Sequence, residues 1–165
     1  MKVTQIIYKA DKINQIPNYD IIKVSDDHFC LEYIENNKVD TTIDIMYDQI
    51  IAIAIVEDIE EPKTDVIKAE QLELNLVFKD NKFITYAISN VISQTNEDKV
   101  IVFNTYSYSV TNKSHAMVSY CVPKCNVATI TRKDIAVTIV REQQQIVEEQ
   151  NAIEEQSTLE DQTEA

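Results

Sequence analysis

The chain has 165 residues and a formal net charge of −13, and it contains no glycine. Glycine lets the backbone approach a phosphate or adopt a positive φ without steric cost. Its absence therefore excludes the glycine-rich phosphate loop, the G-x-G-x-x-G dinucleotide turn and the G-x-S-x-G nucleophile elbow. The chain length fits one domain large enough to bury a sizeable core, and 44% hydrophobic with 26% charged residues is ordinary for a soluble globular protein.

Much of the negative charge lies at the C-terminus. Eight of the 28 acidic residues follow Arg141 and no basic residue does, so eight of the 13 net negative charges belong to this segment and five to residues 1–141. Nucleic acids are bound by clustered lysine and arginine, and Arg132 and Arg141 are the only arginines. We therefore expect no direct nucleic-acid binding and an acidic tail of the kind that solvates or docks on a partner.

The apolar runs and the cysteines of the sequence predict where in the cell the protein is located. The longest apolar run, residues 50–56, is far shorter than the roughly 20 residues needed to cross a bilayer, so we expect no membrane partner. The N-terminus has no apolar stretch of the secretory type. Three cysteines without such a signal predict free thiols in a reducing compartment, so we expect a protein that is cytoplasmic or incorporated in a virion.

Apolar residues recur with period two along most of the first 140 residues, which is typical of half-buried strands. Residues 50–56 are apolar on both faces and are the candidate central strand. The leucines at 72–76 also alternate, so period two outweighs their helix propensity. The predicted strands are residues 3–8, 20–24 (after a break at Pro17), 29–33, 39–45, 50–56, 72–78, 83–88, 100–110, 115–122, 127–130 and 136–140.

Asparagine takes the place of glycine in the predicted turns. Tight hairpin turns need a positive φ, which asparagine adopts more easily than other residues with a side chain. The pairs Asn37–Lys38, Asn81–Lys82 and Asn112–Lys113 each stand between two predicted strands, so we predict three hairpins. The charged segment 57–65, which contains Pro62, is predicted to be an exposed loop.

After residue 140 the composition changes to strong helix formers without proline. Ile139, Ile146 and Ile153 recur every seven residues and form a narrow apolar stripe, for contact with the body or for self-association. We predict an all-β body over residues 1–140, sandwich or barrel-like, with about nine or ten strands. A C-terminal α-helix over 141–156 and a disordered acidic tail over 157–165 follow.

Two groups of residues suggest metal chemistry. His115, Cys121 and Cys125 could bind zinc if Cys30 or His28 completed the site. Cys121 and Cys125 could also form a disulfide, although small buried side chains next to a turn are the simpler interpretation. The carboxylates at 57–61 could bind a divalent cation, but a charge run is usually a solvated segment. We predict no cofactor, no metal, no catalytic residue and no enzyme activity.

The tyrosines indicate a protein-binding surface. Tyr106 and Tyr108 lie on one face of a predicted strand beside Asn104, and Tyr120 joins them if the next hairpin closes in simple register. Tyrosine is enriched at interface hot spots, although these rings could equally cap the edge of a core.

We therefore expect a non-enzymatic protein-binding or assembly component. Its richness in Ile, Asn, Lys and Asp is typical of an AT-rich genome, so a phage structural or assembly protein is one expectation. The alternative is a small acidic regulator or inhibitor that binds a basic surface of a nucleic-acid-processing protein. The predicted protein-binding residues are Tyr106, Tyr108, Tyr120, Ile146, Ile153, Glu57, Asp58, Glu60 and Glu61.

Overall fold

A computed structural model describes residues 2–10, 13–139 and 150–157. In these residues ten strands and one C-terminal helix, residues 150–157, account for most of the structure. The strands are β1 (Lys2–Tyr8), β2 (Ile13–Val24), β3 (His28–Glu35), β4 (Lys38–Met46), β5 (Ile50–Ile59), β6 (Val66–Val77), β7 (Phe83–Asn96), β8 (Val100–Ser109), β9 (Ser114–Pro123) and β10 (Val127–Thr138).

All ten strands belong to one antiparallel sheet, in the order β10-β6-β7-β8-β9-β5-β1-β2-β3-β4. The predicted all-β class is thus confirmed. β5 lies between β9 and β1, inside the sheet, as its two apolar faces predicted. The prediction of a helix over 141–149 and of a tail over 158–165 falls outside the described residues.

The predicted break at Pro17 is wrong, because Pro17 lies inside β2. The pairing of β1 with β2 passes from Val3 opposite Tyr19 to Gln5 opposite Gln15, so the single β1 residue between these pairs faces three residues of β2. Such a bulge interrupts the ladder, and proline, which has no N–H to donate, is tolerated there.

The two strands predicted at 127–130 and 136–140 are one strand, β10. The residues between them, from Thr131 to Asp134, are polar and exposed, so hydrophobic alternation is lost there. The backbone nevertheless continues in the sheet beside β6. Ladder hydrogen bonds hold a polar stretch extended without any apolar pattern.

Asparagine provides most of the left-handed turn residues. Asn36 and Asn37 have φ of 50° and 60° between β3 and β4, and Asn81 has φ of 60° between β6 and β7. The third hairpin also forms, with Ser109 opposite Ser114, but its left-handed residue is Lys113 (φ 49°) and not an asparagine. Asn90 has φ of 59° inside β7, where the register shifts, and the sequence pattern did not predict it.

Lys113→Gly is expected to raise the free energy of unfolding by about 0.5–1 kcal/mol. The left-handed conformation costs a residue with a Cβ about 1–2 kcal/mol, and the greater chain entropy of unfolded glycine offsets part of the gain. Urea denaturation measures the change. Lys82→Gly is the matched control, since Lys82 is not among the residues with positive φ, and it should lower stability. An equal effect of both substitutions would contradict the turn geometry.

The four central strands of the order, β8, β9, β5 and β1, bury side chains on both faces. Consecutive residues of one strand point to opposite faces and enter different clusters, as with Cys121 and Val122. The first core joins these strands to β6 and β7, and the second joins them to β3 and β4. The first core contains Ile7, Ile51, Leu72, Leu74, Leu76, Phe103 and Val122, and the second contains Val3, Ile6, Phe29, Leu31, Ile45, Ile53 and Ile55.

The chain divides into two compact units. The first consists of Met1–Glu61 and Lys68–Ile135 and contains both cores. The second consists of Pro62–Ile67 and Ala136–Ala165. Within the second unit, the backbone N–H of Ile139 donates to the carbonyl oxygen of Asp65 at 2.8 Å, and Ile139 is buried.

Candidate functional site

An aromatic cluster lies at the hairpin end of β8 and β9. The hydroxyl of Tyr106 is 2.8 Å from Nδ1 of His115, and the ring of Tyr108 lies 4.9 Å from the imidazole, centroid to centroid. Tyr106 is only 4% exposed, and burial, with the nearby Glu61 carboxylate, raises its pKa. The cluster therefore packs one side of the hairpin, with Tyr108 as its more accessible ring.

Tyr120 does not share this face. Tyr106 is opposite Met117, whereas Tyr120 is opposite Phe103 and packs against the first core. Residues 103 and 106 lie on opposite faces of β8 because side chains alternate. The prediction that Tyr120 shares a face with Tyr106 and Tyr108 is thus wrong. The loop between the strands fixes a register that places Tyr120 on the other face.

A groove of about 300 Å³ lies on the same face as Tyr106, lined by residues of β5, β7, β8 and β9. Its apolar wall includes Ile55, Val102 and Met117. Its polar side is a hydrogen-bond chain in which Ser119 Oγ donates to Asn104 Oδ1 at 2.7 Å and Asn104 Nδ2 donates to Ser93 Oγ at 2.9 Å. Such a groove can bind a small apolar group that carries one hydrogen-bonding atom. The apolar wall would contact the group, and the fixed amide of Asn104 would orient it.

The acidic residues predicted to lie in one loop are divided between a strand and a loop. Glu57 and Asp58 belong to β5, opposite Met117 and Ala116 of β9, whereas Glu60 and Glu61 follow the strand. Adjacent residues of a strand point to opposite faces, so Glu57 and Asp58 do not form one cluster. The predicted exposed loop begins only after Ile59.

The residues proposed as zinc ligands do not come together. His115 and Cys121 lie on the same strand, six positions apart, and a strand rises about 3.4 Å per residue, so about 20 Å separates them. Zinc ligands lie about 2.0–2.3 Å from the metal, so one ion cannot bind both. All three cysteines are free thiols, and no group of three or more metal-ligating side chains that could hold an ion occurs among the described residues.

His28 and Cys30 lie on the outer face of β3. His28 Nδ1 is 2.7 Å from Asp27 Oδ1, and its Nε2 is 3.8 Å from Asp44 Oδ1 on β4. Cys30 is opposite Asp44 and hydrogen-bonds to its carboxylate, which raises the pKa of the thiol. The fraction of Cys30 present as thiolate at neutral pH is therefore lower than that of an ordinary cysteine.

β4 is one of the two terminal strands of the sheet. Seven of its nine residues are exposed, and among the described residues only β3 pairs with it. The backbone groups of an edge strand can pair with another strand. Sequence reasoning did not identify this edge, since the order of strands depends on pairing between distant segments.

Two isoleucines of the predicted apolar stripe have different environments. Ile139 lies beyond the end of β10 and is buried, so it does not belong to a helix that contains Ile153. Ile153 is 66% exposed on the helix 150–157, while Ile146 lies outside the described residues. Ile139 therefore does not share a helical stripe with Ile153, and the predicted start of the helix at residue 141 falls outside the described residues.

Comparison with known proteins identifies no relative. No protein-family model, no curated protein and no solved structure matches the chain. Over the described residues, no helix combines the length and the apolar character needed to span a membrane.

The three thiols are expected to react with iodoacetamide at different rates. Cys125 is exposed and Cys121 is buried, and burial raises the pKa of Cys121 to about 11 from the ordinary 9.0. A pKa higher by about two units lowers the thiolate fraction at neutral pH about a hundredfold, so Cys121 should react at least about a hundredfold more slowly than a free thiol. Mass spectrometry of timed samples from the native and the urea-unfolded protein measures the rates. Modification of Cys121 before Cys125 in the native protein would contradict the burial of Cys121.

Proposed function

We propose that this chain is a non-enzymatic protein-binding component of a larger assembly, and that the free edge of β4 is its principal contact surface. A phage particle or its assembly machinery remains the proposed setting, on the composition of the chain alone. The observation that carries the proposal is the terminal position of β4 combined with the exposure of seven of its nine residues.

Strand pairing is the contact that such an edge favours. A partner strand that adds to a sheet gains main-chain hydrogen bonds, and side-chain pairs provide specificity. β4 has no proline, which would remove a donor from the edge, and no glycine, which would weaken a strand. It carries Lys38, Asp40 and Asp44, and charged residues on an edge oppose pairing, so a partner strand needs charges complementary to these three.

Site-specific photocrosslinking tests the proposal. A photoreactive amino acid at Thr42, which is exposed on β4, is expected to give covalent adducts with a protein in cells that express the full chain. The same group at Ser107, which is exposed on the inner strand β8, is the matched control and should give few. Absence of protein adducts from Thr42, or equal yields from both positions, would overturn the proposal.

The acidic-regulator function is the second candidate, and one observation favours it. Glu57, Asp58 and Glu60 are exposed and form no ion pair with a described residue. Unpaired carboxylates can meet the lysines and arginines of a basic partner, and such a complex should weaken steeply with salt. Joint replacement of the three by glutamine and asparagine should abolish a salt-sensitive complex and leave a strand-mediated one unchanged.

We further propose that the part of the sheet from β6 to β1 curves round in a barrel-like manner, as one of the two forms predicted from the sequence, and leaves the outer edge of the terminal strand β4 unpaired among the described residues. Two contacts support closure: Lys9 Nζ, after β1, lies 3.2 Å from Asp80 Oδ2, and it lies 5.1 Å from the centre of the Phe78 ring. Phe78 and Asp80 follow β6, and four strands separate β6 from β1 in the sheet order.

A further inference from the structure

We propose that β4 pairs in antiparallel orientation with β4 of a second copy of this chain, in a two-fold symmetric register centred on Ile43. This inference rests on the proposed protein-binding function and identifies the binding partner as a second copy of the chain. A two-fold contact uses the same surface on both copies, so the surface has to be complementary to itself. The charges and apolar residues of β4 meet this condition in one regular register.

Residues 41–46 form the regular part of the β4 edge. The register with β3 shifts between Tyr33 and Ile34, whose partners are Thr41 and Val39, so Asp40 is the extra residue of a bulge. Beyond the bulge, Ile43 and Ile45 pack in the second core. Alternation therefore places Thr42 and Asp44 on the outer face, where both are exposed.

The carboxylates exclude neighbouring registers. A pair centred on Thr42 would place Asp40 of one copy opposite Asp44 of the other, and a pair centred on Asp44 would place the two Asp44 side chains opposite each other. Like charges directly opposite each other destabilise a strand pair. A pair centred on Thr41 would bring Lys38 to Asp44, but it would run across the bulge, where the ladder is interrupted.

The register centred on Ile43 avoids these contacts. It places Ile43 opposite Ile43, Thr41 opposite Ile45, and Thr42 opposite Asp44, so no two carboxylates meet. Ile43 is half-buried against the second core and Ile45 is part of it. Pairing therefore places the isoleucines of one copy beside those of the other. The burial of their remaining apolar surface favours binding of a second copy at this edge.

Salt should strengthen this dimer. Each copy carries a net charge of −13, so the two copies repel each other, and salt screens that repulsion. The strand contact itself is made of backbone hydrogen bonds and apolar side chains. A complex with a basic protein would respond to salt in the opposite direction.

Sedimentation equilibrium of the full chain at low and high salt measures the dissociation constant of the dimer. Substitutions at Thr42 test the proposed register. Thr42→Lys places two lysines opposite two Asp44 side chains and should tighten the dimer by about tenfold, whereas Thr42→Asp should weaken it by about tenfold. Ser107→Lys and Ser107→Asp make the same charge changes at an exposed position of an inner strand and are the matched controls. Circular dichroism checks that each variant is folded.

The other outcomes overturn the inference in distinguishable ways. Weakening by Thr42→Lys would indicate the register centred on Thr42, and weakening by Lys38→Glu would indicate the one centred on Thr41. A monomer at all concentrations and salts would exclude the second copy as the partner. If the photoreactive group at Thr42 then still gave adducts with another protein, the protein-binding function would stand without this inference. If it gave none, both would fail.

Discussion

Phe103→Ala is expected to lower the free energy of unfolding by about 3–5 kcal/mol. Phe103 has no exposed surface, and it packs in the first core with Leu72, Leu74 and Val122. Truncation of a buried phenylalanine removes its transfer free energy and leaves a cavity that the close-packed strands fill only in part. A domain is stabilised by only about 5–15 kcal/mol in total, so this loss is a large fraction of the free energy of unfolding.

Phe83→Ala is the matched control for this loss. Phe83 is 76% exposed at the start of β7, and its truncation should change stability by less than about 0.5 kcal/mol. Urea denaturation followed by circular dichroism compares both variants with the parent chain. Similar losses from the two substitutions would contradict the assignment of Phe103 to the core.

The stability of the protein is expected to fall by up to about 3 kcal/mol between pH 10 and 12 on account of Tyr47 alone. Tyr47 is buried, and its hydroxyl donates to the carbonyl oxygen of Ser25 at 2.7 Å. Burial raises the pKa of Tyr47 from 10.0 to about 12, and the negative charges of the Cys125 thiolate, Asp27 and Asp26 add to the shift. In this range the unfolded chain has lost the proton that the folded protein keeps, so unfolding releases it and stability decreases with rising pH.

Tyr47→Phe isolates this contribution. At neutral pH the variant should be less stable by about 1 kcal/mol, because the hydrogen bond to Ser25 is lost. Phenylalanine has no proton to lose, so the two stability curves should converge and cross between pH 10 and 12. Cys121, whose pKa is raised to about 11, titrates in both proteins and cancels in the comparison. Urea denaturation at closely spaced pH values measures the curves, and parallel curves would contradict the burial of the Tyr47 hydroxyl.

The strand content and the hairpins could be predicted because both depend on residues close together in the sequence. Apolar periodicity, or for β5 a continuous apolar run, indicated a strand within each of the ten observed strands, and asparagine indicated three turns. Prediction failed where a local pattern was absent or misleading. Pro17 is tolerated by a bulge whose partner lies in β1, and the polar middle of β10 is held by the neighbouring β6.

The candidate site was predictable only in part. Alternation placed Tyr106 and Tyr108 on one face correctly, since the two residues belong to one strand. The position of Tyr120 depended on the register with the next strand, which the four-residue loop after Ser109 fixes. The groove beside Asn104 combines four strands, and no property of a single segment indicates it.

The sequence by itself determined the all-β class, the central position of β5 and the absence of glycine-dependent sites, because each follows from the covalent and steric properties of neighbouring residues. The tertiary structure decided which residues share a face, which two cores they fill and which strand is left at the edge. These features depend on the pairing of segments far apart in the chain, where many registers satisfy the same local pattern. The free edge of β4, on which the proposed function rests, belongs to this second group.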